Sequence, residues 1–190
     1  MGASLRLAAG LAFLVAAYFY FSGVDERRAL PTLSAFIPED LGQLDLAQPG
    51  GGRQIVSLDG TDEHHLRLQR EIVDELARQH LGSPLAGGES RDLRVLQELL
   101  DRRVLDKAGT YELQALGVVL GDVMAQQLGL SWVRVEDEFG KSRALRLEGT
   151  ETLIFPVTMI SKRVEGGTPF TVNELFEKAK GIVEETSPGT

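Results

Sequence analysis

Three groups of charged side chains are the most obvious candidates for chemistry in this sequence. Asp122 lies in a predicted helix that is otherwise apolar around it. Glu136 and Asp137 belong to an acidic run beside a predicted turn, and Lys162 and Arg163 lie near the end of a short predicted helix. Carboxylates can act as general acids or bases or hold a hard cation, and neighbouring cations can stabilise an anion. One hypothesis is therefore a small hydrolase-like enzyme, or a ligand-binding domain, that uses these residues.

Each group also has a structural interpretation that needs no catalysis. A lone buried carboxylate is costly, so we expect Asp122 to form a salt bridge from a core helix to the sheet or to a loop. The available partners are Arg134, Arg146, Lys162 and Arg163. The acidic run fits a solvated turn beside Gly140, and two cations at a helix C-terminus complement the helix dipole. We favour these structural interpretations.

The sequence motifs of known catalytic and metal-binding sites do not occur in this chain. His64 and His80 fall on one predicted helix at a spacing that separates them by roughly 24 Å, so they cannot share a zinc ion. The chain has no cysteine, and Ser161 beside Lys162 lacks the motif of a nucleophilic serine. We therefore predict no catalytic residue, no metal site and no cofactor.

The charge balance excludes one class of partner and suggests another. The chain carries 20 Lys and Arg against 28 Asp and Glu, a net charge of −8. An acidic protein is poorly suited to nucleic acid, because binding to phosphates needs clustered cations. An acidic protein that blocks the basic active site of a toxin is a further hypothesis, and it would require one contiguous acidic patch.

The element at the start of the chain is an uncharged stretch of eighteen residues, 7–24. As a helix it would span roughly 27 Å, close to the thickness of the hydrocarbon core of a bilayer. Four aromatic residues at 18–21 suit a membrane interface, and cleavage after Ala17 would leave them near a new apolar terminus. We predict that residues 1–24 form an uncleaved signal anchor, in preference to a cleaved signal peptide or a buried core helix.

The cationic flanks of the anchor do not fix its orientation. Arg6 and the amino terminus stand on one side, and Arg27 and Arg28 stand on the other, so the positive-inside rule gives a tie. Because apolar segments at the extreme N-terminus commonly act as signal anchors, we expect a single-pass protein of the bacterial inner membrane with a periplasmic body.

Residues 25–60 have the composition of a tether between this anchor and a folded body. Prolines at 31, 38 and 49 precede three consecutive glycines, and the apolar residues between them keep no regular period. Within the tether, residues 54–58 could form a short strand. We predict a single domain at 61–186 and a frayed tail at 187–190.

The body shows helical periods first and alternating patterns later, which predicts an α+β domain. We expect four to five helices packed on a small antiparallel sheet of about three strands. The helices are predicted at 62–81, after a cap at Ser90, at 110–128, at 157–164, and after a capping box that begins at Thr171. The strands are predicted at 131–138, 144–148 and 152–155. Gly117 and Gly121, four residues apart in the third helix, would let another backbone approach closely.

Part of the body has a familiar sequence. The run YELQALGVVLGDVMAQQLGLSWVRVEDEFGKSRALR, followed by LIFPVTMISKRVEGG, resembles the bacterial family known as domain of unknown function 3806. The resemblance extends over residues 60–180. Positions that match its pattern are Leu116, Gly117, Gly121, Asp122, Trp132, Asp137, Gly140, Pro156, Lys162 and Arg163. Because the family has no established activity, the resemblance implies no catalytic role for any of them.

Taken together, these patterns favour a membrane-tethered, non-catalytic module of the bacterial cell envelope that binds another protein. The candidate binding residues are Asp122, Trp132, Glu136, Asp137, Lys162 and Arg163. The enzyme or ligand-site hypothesis gains support if the carboxylates and cations among them meet in one concave pocket, and loses support if they form separate pairs.

Overall fold

A computed structural model of the chain describes residues 53–105, 109–138 and 140–186. The predicted membrane anchor, most of the predicted tether and the predicted tail lie outside these residues. Across the described ranges, no helix is both long enough and apolar enough to cross a membrane.

The described residues form an α+β fold with one antiparallel sheet. Its strands are β1 (Gln54–Ser57), β2 (Leu130–Asp137), β3 (Gly140–Leu147) and β4 (Leu153–Ile154), and they lie side by side in chain order. The expected sheet of about three strands is therefore corrected to four. The additional strand is the short segment inside the predicted tether, where Ile55 pairs with Val135 and Val56 with Arg134.

Five α-helices accompany this sheet in the described residues, at the upper end of the expected number. They are α1 (Gly60–Leu81), α2 (Arg91–Asp101), α3 (Thr110–Leu128), α4 (Met159–Glu165) and α5 (Val172–Thr186). A 3-10 turn, Pro156–Thr158, replaces the start of the predicted fourth helix. Proline has no N–H to donate and suits the first position of such a turn.

The helix caps agree with the sequence patterns in one place and differ in two. The capping box of α5 is confirmed, because the backbone N–H groups of Thr171 and Glu174 each donate to the side chain of the other residue. The sequence favours Thr61 as the cap of α1, but the cap is Asp59, whose carboxylate accepts from the N–H of Thr61 and of Asp62. Ser90, predicted to cap α2, makes no such bond with its side chain.

α3 is the central helix of the core, as its apolar composition predicts. Ten of its residues are buried, among them Leu116, Val119, Leu120 and Met124. The predicted close approach at its glycines is also confirmed. A Cβ atom on Gly117 would collide with the backbone oxygens of Pro156 and Val157, and one on Gly121 would lie 2.5 Å from the ring of Trp132. These two glycines therefore let the 3-10 turn and the indole pack directly on the α3 backbone.

The sheet is apolar on both faces. On the face towards the helices, Leu130, Leu145 and Ile154 join the main core. On the other face, a smaller cluster is formed by Val135, Ala144 and Leu153, with Ile55, Val133 and Phe155 packed against it. Alternation along β2 therefore directs Trp132, Arg134 and Glu136 towards the helices and Val133 and Val135 away from them.

Candidate functional site

Asp122 forms an ion pair between two helices. The Nε and Nη2 atoms of Arg70, on α1, donate to the two oxygens of Asp122, on α3, at 2.6 and 2.7 Å. The hydrogen bond from Arg70 to this carboxylate raises the pKa of the guanidinium. The expectation that Asp122 is paired is confirmed. Its expected partners were wrong, because the cation comes from a helix and is none of the four that the sequence suggested.

Trp132 completes this arrangement. Its indole Nε1–H donates to Oδ1 of Asp122 at 3.0 Å, while its ring rests against Gly121. Both oxygens of Asp122 are thus engaged by donors from the protein itself. We call Arg70, Asp122 and Trp132 the clamp. It joins α1 and α3 to the sheet and leaves Asp122 poorly placed to act as a free base.

A loop at residues 82–90 packs beside the clamp and is tied to the helices around it. Asp92, which is fully buried, accepts from the N–H groups of Ala86 and Gly88 at 2.7 and 2.9 Å. A Cβ atom on Gly88 would lie 3.1 Å from the backbone oxygen of Asp122. Sequence reasoning missed the role of Asp92. The signal was an acidic residue in the first turn of a helix, just after two glycines.

A second charged group connects the start of α1 to the sheet. The guanidinium of Arg134 lies 3.0 Å from Asp62 and 2.7 Å from Glu136, and it also pairs with Asp59. Lys141 lies 3.5 Å from Glu136. We call these five residues the Arg134 network. They account for Glu136, one of the predicted binding residues, as part of an internal ion cluster.

The network shifts the pKa values of Asp59 and Arg134. The backbone N–H of Asp62, and after it the guanidinium of Arg134, hold the pKa of the Asp59 carboxyl below its usual value. Hydrogen bonds from Arg134 to Asp62 and then to Asp59 raise the pKa of the guanidinium. Both shifts favour the charged forms.

The remaining predicted residues lie elsewhere. Asp137 pairs with Gly140 at the end of the β2–β3 hairpin, five residues along β2 from Trp132 and on the opposite face. At about 3.4 Å per strand residue, this corresponds to roughly 17 Å. Lys162 and Arg163 lie in the last turn of α4, as predicted, and Arg163 donates to the backbone oxygen of Met159 at 2.8 Å. Of the predicted site residues, Asp122 and Trp132 are in direct contact.

The arrangement of carboxylates in the described residues does not suit a metal ion. No group of three or more histidine, aspartate or glutamate side chains is placed there to hold one. The polar partners of Asp122 are Arg70 and Trp132, so neither Lys162 nor Arg163 pairs with it.

A surface feature that the sequence analysis did not identify is a cleft between α2 and α4. Its volume is about 200 Å³. It is lined by Gln97, Leu100, Asp101, Arg103, Leu105, Val164 and Phe170. We call it the α2–α4 cleft. Pockets for cofactors and drug-sized ligands usually measure roughly 300–1,000 Å³, so this cleft is better matched to a side chain of another protein.

An exposed apolar side chain lines this cleft. Val164 is 40% exposed. The hydroxyl of Thr110, at the start of α3, donates to Glu165, the residue next to Val164. The other large apolar side chains exposed in the described part of the chain are Leu68 on α1 and Tyr111 on α3.

Comparison with known proteins identifies a family and a similar fold. Residues 92–176 match the family model described as "Domain of unknown function (DUF3806)". A crystal structure of a protein from Bacteroides thetaiotaomicron VPI-5482 is similar, with a TM-score of 0.61 and 19% sequence identity. The match covers 67% of this chain and 47% of that one, so this chain corresponds to about half of the Bacteroides protein. At that identity the likeness concerns the fold alone. No curated protein matches the chain significantly.

The matched segment contains Asp122, Trp132 and every residue of the α2–α4 cleft, whereas Arg70 precedes it. The resemblance expected from the sequence is confirmed over residues 92–176, which match the model of the domain of unknown function DUF3806.

Proposed function

We propose that this chain is a non-catalytic protein-binding module of the bacterial cell envelope, held at the inner membrane by residues 7–24. The proposal rests on the observation that the side chains best suited to chemistry are bonded to other groups within the protein. Asp122 is engaged by Arg70 and Trp132, and Glu136 is engaged by Arg134. At the same time, Val164 remains exposed at the α2–α4 cleft, beside partly buried Leu100 and Phe170. Such exposed patches are typical of surfaces that bind other proteins.

The alternative of a hydrolase-like enzyme receives less support. A general base needs an oxygen that can reach a proton of the substrate or of water, and an anion stabiliser must lie close to it. Both oxygens of Asp122 accept hydrogen bonds from the clamp, and Arg163 is bonded to the backbone of its own helix. These contacts favour the binding module.

The alternative of a toxin-neutralising protein is also less favoured. It requires an uncompensated acidic patch, whereas Asp59, Asp62 and Glu136 gather around Arg134, and Lys141 lies next to Glu136. The acidic residues of this region are thus largely neutralised within the protein.

The membrane location rests on the uncharged stretch at residues 7–24 and on its aromatic end. It can be tested with a reporter fused after Thr190 that is active only outside the cytoplasm. We expect an active fusion that sediments with the inner membrane. An inactive fusion would contradict the periplasmic orientation, and a fusion released into the soluble fraction would contradict the anchor.

The binding role can be separated from catalysis in two assays on the full chain. In detergent-solubilised membranes, wild-type bait should capture a partner that excess untagged chain competes away. In parallel, purified protein should not turn over p-nitrophenyl acetate or p-nitrophenyl phosphate. Turnover that disappears in a folded Asp122→Asn variant would overturn the proposal in favour of the enzyme. Failure to capture any saturable partner would also count against it.

A further inference from the structure

The end of α2 departs from two rules of helix stability. Asp101 is the last residue of this helix, and its last turn contains no basic residue. The C-terminal end of a helix carries partial negative charge, so a carboxylate there is unfavourable. Arg103 has a φ of 54°, in the left-handed region that non-glycine residues rarely adopt.

The backbone around Arg103 shows why its conformation is needed. The N–H of Val104 donates to the oxygen of Leu99 at 3.2 Å, and that of Arg103 donates to Leu100 at 2.9 Å. These two bonds form a Schellman motif, in which Arg103 holds the position that glycine usually occupies. The chain therefore keeps an arginine where glycine would be less strained.

Both unfavourable residues line the α2–α4 cleft. Sites where a sequence breaks local rules are often functional sites. Here the carboxylate of Asp101 and the negative end of α2 stand beside the apolar side chains Leu100, Leu105, Val164 and Phe170. Gln97 donates to Oδ1 of Asp101 at 2.9 Å, which fixes the carboxylate at the cleft.

We propose that the α2–α4 cleft binds a segment of a partner protein in which an apolar side chain is followed by a lysine or an arginine. The proposal rests on the proposed function and names the partner's chemistry. The apolar side chain enters the cleft against Val164, and the cation meets Asp101 at the end of α2. The net charge of −8 of the whole chain favours the approach of a basic segment over an acidic one.

The size of the cleft and the surface beside it suit this occupant. A volume of about 200 Å³ accommodates one large apolar side chain. The bond from Thr110 to Glu165 holds the start of α3 against the end of α4, next to exposed Val164. A partner segment that lies over the end of α4 would cover the exposed side chain of Val164.

The test is an NMR titration of the ¹⁵N-labelled full chain in detergent micelles with two synthetic peptides, acetyl-Gly-Leu-Lys-Gly-amide and acetyl-Gly-Leu-Glu-Gly-amide. The Leu-Lys peptide should produce saturable shifts at the amides of Leu100, Leu105 and Val164. The Leu-Glu peptide should bind about threefold or more weakly, because its carboxylate faces Asp101. Equal affinity for the two peptides, or shifts confined to other elements, would overturn the proposal.

Matched variants test whether the peptide binds at the cleft. Val164→Ser should lower the affinity for the Leu-Lys peptide by about tenfold, because apolar contact is lost. Asp101→Asn should lower this affinity by about threefold and abolish the preference over the Leu-Glu peptide, without loss of folding. Leu68→Ser, at an equally exposed apolar position on α1, is the control and should leave the affinity unchanged. If Leu68→Ser lowered the affinity as much as Val164→Ser, the α2–α4 cleft would not be the peptide-binding site.

Capture from membranes distinguishes failure of this inference from failure of the proposed function. If wild type captures a partner and Val164→Ser captures it equally well, the α2–α4 cleft is not the binding site, but the proposed protein-binding function is retained. If wild type captures no partner although the peptide binds the cleft as expected, the peptide specificity of the cleft is retained, but the proposed binding role in the cell is wrong. Loss of capture in Val164→Ser but not in Leu68→Ser supports both.

Discussion

The clamp and the α2–α4 cleft both place charged groups beside apolar ones, but they use them in opposite ways. In the clamp, the charge of Asp122 is met by Arg70 and by the indole of Trp132 within the protein. In the cleft, Asp101 lies at the unfavourable end of its own helix, beside exposed Val164. The first arrangement joins elements of the fold, and the second places an unfavourable carboxylate beside an exposed apolar side chain. Unusual residues are therefore better guides to binding where they lie beside exposed apolar surface.

The largest expected effect comes from displacing the indole of the clamp. A Cβ atom in Gly121→Ala would lie 2.5 Å from the ring of Trp132 and 2.7 Å from Pro156, so the packing on α3 must shift. We expect a loss of about 3 kcal/mol in the free energy of unfolding. Denaturant unfolding followed by the emission of Trp132, the chain's single tryptophan, measures it. Gly181→Ala is the control, because nothing lies within 4 Å of that position, and it should not destabilise the helix.

The ion pair of the clamp is tested by a double-mutant cycle of Arg70→Ala and Asp122→Ala. Each single change leaves a partly buried charge without its partner, so each should cost about 2 kcal/mol, reduced by the partial exposure of Arg70. The double variant should be less destabilised than the sum, with a coupling of about 1 kcal/mol. If the losses of the two single variants were strictly additive in the double variant, the interaction between Arg70 and Asp122 would contribute nothing to stability.

Gln69 provides a contrast with the satisfied groups of the clamp. Its side chain is 1% exposed, and neither its Oε1 nor its Nε2 has a hydrogen-bond partner. Replacing it with leucine should stabilise the protein by about 1 kcal/mol, because burial of an unpaired amide is costly. Gln97→Leu is the matched control. Gln97 bonds Val172 and Asp101, so its loss should destabilise. Destabilisation by Gln69→Leu would mean that the amide is satisfied in solution.

At the cleft, Arg103→Gly should stabilise the protein by about 1 kcal/mol, because glycine adopts the left-handed conformation without strain. Thermal unfolding measures the change. Arg103 also adds a positive charge to the cleft in which the peptide's lysine meets Asp101, so its loss should modestly tighten binding of the Leu-Lys peptide. Unchanged affinity would show that Arg103 does not act on the lysine of the peptide.

The smallest effect concerns pH. Hydrogen bonds from the backbone of Asp62 and from Arg134 lower the pKa of Asp59 in the folded state. A depressed folded pKa gives stability that is present above the unfolded pKa and is lost as the pH falls through the folded value. Unfolding measured between pH 6 and about 2 should therefore show a smaller acid slope in Asp59→Asn than in wild type. An unchanged slope would mean that the Arg134 network does not stabilise charged Asp59.

Much of the fold could be predicted from local patterns. The capping box at Thr171 and the apolar stripe behind it determine α5, and the change to alternation after Gly129 marks the sheet. The glycines at 117 and 121 correctly indicated a close approach to α3. In each case the information lies within one or two turns of chain, where side-chain period and capping chemistry decide the local structure.

The pairings across the fold could not be predicted in the same way. Arg70 and Asp122 are 52 residues apart, and they meet because α1 and α3 lie side by side with Leu66 against Val118. Without that packing, cations closer in the sequence were equally plausible partners. The strand at Gln54 was similarly ambiguous, since its four residues gain their structure from pairing with β2. The cleft depends on where α2 and α4 end relative to each other, which no single segment encodes.

The central claim is that the chain binds a partner protein at the α2–α4 cleft and uses the carboxylates of Asp122 and Glu136 internally. The most direct measurement is site-specific photo-cross-linking in living cells, with a benzoylphenylalanine at position 164 and, in a matched chain, at position 68. The account predicts a discrete cross-linked product from position 164 that is absent at position 68 and is reduced by Asp101→Asn. No product from position 164, or the same product from both positions, would contradict it.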